Sequence, residues 1–192
     1  MVAQWGCDCI MPVLLASTSA SSMHGALVPI AYATSTGSTQ TFTFSSIPQT
    51  YQDLFMVIYS KSTTSNRDII AYINNDTSSG LYSDTELYGN GSTAGSNRAA
   101  NQTNPYLTRG TNNYTANFGT FQVHYLNYAN TNTYKNYLWR FANDQNGSGD
   151  VGLCLGSWRN TSGISRLDIT NTTYPFASGT TVELFAIRTV GQ

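Results

Sequence analysis

Asp84 and Glu86 stand two apart in "DTELYG", and on a β-strand that spacing turns both carboxylates to one face. Such a pair can act as general acid and base, or hold Ca²⁺ beside a loop. The competing and commoner reading is the polar outer face of an edge strand. A hydrolytic triad would have to use one of two histidines, His24 or His124. His124 alternates with Val123 and Tyr125, which makes it an ordinary side chain on one sheet face, and the chain contains no G-x-S-x-G elbow. "DQNGSGD" sets Asp144, Asn146 and Ser148 at the first, third and fifth places of a calcium loop. Its twelfth place, however, is Leu155 instead of a bidentate Glu, so the stretch reads as an Asn-Gly hairpin. "LYGNGSTAGS" is glycine-rich but is followed by no Lys-Ser/Thr pair, so it reads as a flexible loop and not a phosphate cradle. Cys7 and Cys9 have no second Cys/His pair at zinc spacing, and Cys154 in "VGLCLGSW" reads as a small core hydrophobe. No catalytic residue, metal or cofactor is expected.

Composition narrows the partners. Charged residues make up 10% of the 192 residues and the formal charge is -1, against about 25% charged in ordinary globular domains. Ser, Thr, Asn and Gly fill the space between apolar runs. Nine scattered Lys and Arg make no stripe that could follow a phosphate backbone, so nucleic acid is not expected. No apolar run approaches membrane-spanning length. "CIMPVLLASTSA" resembles a signal peptide in its small residues, but it lacks a basic start and is broken by Pro12. An odd number of cysteines fits assembly in a reducing cytoplasm. Seven N-x-[ST] triplets follow from the abundance of Ser and Thr and do not establish glycosylation.

The elements that must carry these residues are strands. Period-two patterning predicts strands at 39–44, 53–60, 68–74, 84–89, 118–126, 133–143, 150–158, 165–170 and 180–190, separated by Gly, Pro and Asn corners. The pattern predicts an all-β antiparallel sandwich of jelly-roll type over residues 39–192. Residues 1–38 differ. The apolar pieces "IMPVLLA" and "ALVPIAYA" flank "STSASSMHG". Two readings stay open: an arm docking on a neighbour, through Met11, Pro12, Val13, Leu14, Leu15, Leu27, Val28, Pro29 and Ile30, or a first strand plus linker. The stretch from Asn90 to Thr115 reads as a long surface loop, with Tyr82, Tyr88, Tyr106 and Tyr114 in or beside it as candidate ligand contacts.

"MPVLLASTSAS", "ALVPIA", "FTFSSIPQTYQDLFMVI", "INNDTSSGLYS" and "LYGNGSTAGS" resemble small structural proteins of tailed bacteriophages, especially those of cyanobacterial and marine hosts. The likeness spans Met11 to about Ser96 and resumes in the closing "GTTVELFAI". It implies a non-enzymatic virion component, a β-sandwich assembled as a homotrimer. Two roles follow from it. One is a capsid decoration (cement) protein on the outer head, bound to the major capsid protein. The other is a tail-fibre module meeting host-surface glycans. One small domain with no fibrous repeat ahead of it favours the first.

Overall fold

A computed structural model describes residues 26–64, 68–108 and 114–188. They form eleven strands and no helix: β1 (Leu27–Thr34), β2 (Thr41–Phe44), β3 (Asp53–Ser60), β4 (Ile69–Ile73), β5 (Tyr82–Gly89), β6 (Ala94–Gln102), β7 (Gly119–Tyr125), β8 (Lys135–Asp144), β9 (Gly149–Trp158), β10 (Leu167–Asn171) and β11 (Thr181–Ile187). Every pairing is antiparallel. The large sheet runs β1-β11-β3-β7-β8-β9-β5-β6, and the small one β2-β10-β4.

The core lies between the sheets. Leu54, Met56 and Ile58 of β3, Phe121 and Val123 of β7, and Val182 and Leu184 of β11 meet Phe42, Phe44, Ile69, Leu167 and Ile169 of the small sheet. Three strands are too few to cover eight, and the chain after β6 supplies the rest. It turns back over the inner face, where Ala71 N donates to Pro105 O (3.0 Å) and Leu107 N to Ile69 O (2.8 Å). Leu107 is fully buried, and its carbonyl accepts the Trp139 indole N–H at 3.0 Å. A second buried indole, on Trp158, donates to Asp76 Oδ2 at 3.0 Å. Each tryptophan therefore buries its ring without stranding its one polar atom.

All nine strands expected from the alternation are present. Two further strands are present, one where the sequence left two readings open and one where it was read as loop. Leu27, Val28, Pro29 and Ile30 belong to β1, paired with β11 with a bulge between Pro29 and Ala31. Of the two readings held open for them, the structure shows the first strand, so the large sheet reaches back into the stretch 1–38. The Asn90–Thr115 stretch is not one loop. Its first part is a tight turn, where Asn90 Oδ1 accepts from Ser92 N (3.0 Å) and Thr93 N (2.7 Å), followed by the edge strand β6. "AGSNRAANQ" has no apolar alternation because β6 is exposed on both faces. Its strand form comes from backbone pairing with β5, not from propensity. "DQNGSGD" is the expected hairpin, with Asn146 and Gly147 at φ 58° and 109° and Gln145 N donating to Ser148 O at 2.8 Å.

Candidate functional site: the outer face of the large sheet

The tyrosines proposed as a binding loop do not converge. Tyr82 is in the core, its hydroxyl donating to Asp76 O at 2.9 Å, and burial holds that phenol well above its ordinary pKa. Tyr88 lays its ring against Gly95 of the edge strand. Tyr106 bridges to Ile70, and its hydroxyl accepts from Asn104 Nδ2 at 3.0 Å. Tyr114 donates to Asp150 Oδ2 at 2.8 Å, and desolvation plus that carboxylate push its pKa up to about 12. The candidate arm residues Met11, Pro12, Val13, Leu14 and Leu15 lie outside the described residues.

The polar candidates also resolve. β5 sits between β9 and β6, so Asp84 and Glu86 are not on an edge strand. Both turn inward and are buried, and Asp84 accepts from Gln102 Nε2. His124 lies on the outer face, its Nε2 2.9 Å from Asp53 Oδ2, while Asp53 Oδ1 accepts from Asn127 N at 2.6 Å. Asp53 thus fixes the ring and the chain beyond it. Among the described residues no three His, Cys, Asp or Glu come together as metal ligands would.

What the structure does assemble is apolar and faces outward. In β9 the burial is inverted relative to hydrophobicity. Gly152, Cys154 and Gly156 point to the core, while Val151, Leu153 and Leu155 point to solvent, with Leu153 57% exposed. The cause is β8, whose Tyr137, Trp139 and Phe141 bury their rings on the inner face. A Cβ on Gly152 would run into the Phe141 ring, and one on Gly156 into the Tyr137 ring. Large rings on β8 therefore require small residues on β9's inner face. The alternate positions then carry the bulk, and strand geometry sends them outward.

Neighbouring strands extend the patch. Leu138 pairs with Leu155 and Leu87 with Leu153, all on the outer face. Leu87 is 59% exposed. A shallow depression of about 670 Å³ runs along Leu87, Val151 and Leu153, bounded by Gln122, Arg140 and Tyr88. The Arg140 Nε donates to Gln122 Oε1 at 2.6 Å, drawing the guanidinium toward β7 and away from the leucines. Contiguous exposed apolar area on this scale is a mark of macromolecular contact. The signal was present in "VGLCLGSW": a core Cys154 forces Leu153 and Leu155 onto the opposite face.

No family model, no curated protein and no solved structure matches this chain.

Proposed function

We propose that this chain is a non-enzymatic structural protein of a tailed-phage particle, a decoration protein of the outer head surface. The observation that carries the reading is the open apolar face of β8, β9 and β5. Such a face does its work by area of contact and has no reacting group at its centre. The resemblance in the first half of the chain supplies the phage setting. Met11 to Leu15 are the residues this reading assigns to contact with the major capsid protein.

Strand order supports a jelly-roll reading of the fold. β1 lies beside the last strand and then β3, while β2 lies beside the penultimate strand and then β4 in the other sheet. A long hairpin wound across two sheets produces that alternation. Tyr106, bridged to Ile70 at the edge of β4, occupies the place of a fourth strand of the small sheet. On this reading β8, β9, β5 and β6 are an extension of the large sheet, and the apolar patch belongs to the extension.

The test is localisation. Gold-labelled antibody against the chain, applied to purified virions, is expected to mark the head at repeated lattice positions. Label confined to the tail tip would replace this reading with the tail-fibre one, and particles without the chain would overturn both.

A further inference from the structure

We infer that the occupant of the outer face is a second copy of this chain, packed face to face about a twofold axis that runs along β9. The inference rests on reading that face as a protein contact and names its partner. The five exposed side chains Leu87, Leu138, Val151, Leu153 and Leu155 leave on the order of 500 Å² of apolar surface open, within the range of patches that mark interfaces. That is over half of the roughly 800 Å² that a standard interface takes from each partner.

Register decides whether the face can meet itself. Rotation about an axis along β9 sets β9 on β9, β8 over the partner's β5, and β7 over the partner's β6. Leu153 and Leu155 then meet their own counterparts across sheets about 10 Å apart. The stem of Arg140, which pairs with Leu153 on one side, comes over the partner's Leu87. The two Arg140 groups stay roughly two strand spacings apart, about 10 Å in the plane of the sheet, and each is already drawn outward by Gln122. Like charge therefore does not oppose the pairing.

The rim adds a favourable match. Thr85 pairs with Leu155 and with Arg98, and Leu155 pairs with Leu138, which pairs with His124. Arg98 on β6 and His124 on β7 therefore stand in one row, two strands to either side of the axis. The rotation brings each Arg98, exposed on its own copy, over the partner's His124–Asp53 pair. A cation meets a carboxylate at both ends of the interface, as an isologous contact requires.

Light scattering and sedimentation of the full chain at about 10 μM, above the Kd that interfaces of this size commonly reach, are expected to give the mass of two 20.9 kDa chains. Leu153→Asp should give one chain with an unchanged far-UV spectrum, because the position faces solvent. Arg98→Glu should keep the dimer but raise its Kd about five- to thirtyfold, because the twofold axis makes the change remove two exposed ion pairs at once. Wild-type protein that stays a single chain at roughly ten times that concentration overturns the inference. So does a dimer that survives Leu153→Asp, or a mass of three chains, the assembly the phage resemblance implies. The two readings fail separately. A wild-type monomer that labels heads refutes only the pairing, and a dimer absent from virions refutes only the decoration role.

Discussion

Lys135 offers a test of how the loops beside this face are held. It opens β8, is 1% exposed, and spends all three ammonium protons on backbone carbonyls. Nζ donates to Asn130 O, to Thr133 O at 2.8 Å and to Thr161 O at 3.0 Å. Two acceptors lie between β7 and β8 and the third between β9 and β10, so one side chain ties two loops together. Lys135→Met keeps the apolar stem and removes the donors. Three carbonyls lose their partner at roughly 1 kcal/mol each, so the variant should lose about 3 kcal/mol. For a chain of this length that is a fall in Tm of about 6–12 °C. Urea unfolding followed by tryptophan fluorescence measures it directly. The pH dependence gives a second reading. Burial lowers the Lys135 pKa, so between that lowered value and its unfolded value near 10.5 the unfolded chain binds the extra proton. The lysine's contribution to stability therefore rises with pH across that window, and the gap between wild type and Lys135→Met should widen there. A loss under about 1 kcal/mol, within the range of ordinary surface changes, would refute the cage, and a gap that narrows toward alkaline pH would refute the lowered pKa.

Two further substitutions probe the packing. Gly152→Val should cost about 2–3 kcal/mol by overpacking against Phe141, whereas Leu153→Val, one residue on, should stay within about 0.5 kcal/mol. Equal midpoints for the two would mean that the faces of β9 are assigned the wrong way round. The Tyr125 hydroxyl is buried with no hydrogen-bond partner among the described residues, so Tyr125→Phe should be neutral or stabilise the fold by up to about 1 kcal/mol. A clear loss on thermal melting would show that the hydroxyl is bonded after all.

Strand placement was legible because most strands bury one face, and burial writes a period of two into the sequence. "TFTF" and "KNYLWRFAND" show this plainly: every second residue of β2 and β8 is buried. β6 was not legible, since an edge strand exposed on both faces imposes no such period. β1 could be read two ways because its apolar residues serve an edge strand broken by Pro29 as well as they would serve an arm. The four tyrosines misled for another reason. Their sequence neighbours are polar, but Tyr82 reaches the core through alternation on β5, which polar neighbours do not report. Asp84 and Glu86 misled in the same way. A shared face was the right inference, but only the register with β9, which sets Asp84 beside Gly156 and Glu86 beside Cys154, decides that this face is inward.

On the outer face the exposed leucines contrast with the side chains around them. Around the patch, β5, β7, β8 and β9 carry hydroxyls and amides on that face, Thr85, Thr120, Gln122, Asn136 and Ser157, while Phe55, Val57 and Phe185 farther along on β3 and β11 are half-buried. Nothing in the fold prevents Thr or Ser at 87, 138, 151, 153 and 155, since outward positions on a strand accept β-branched polar residues readily. The inner face does force Gly152 and Gly156, because the rings of Phe141 and Tyr137 occupy their space. It places no such demand on their outward neighbours. Five exposed aliphatic side chains thus stand together on three adjacent strands. Among the described residues no side chain covers them. A cover of matching shape and low charge explains them, and a second copy of the same face has both properties.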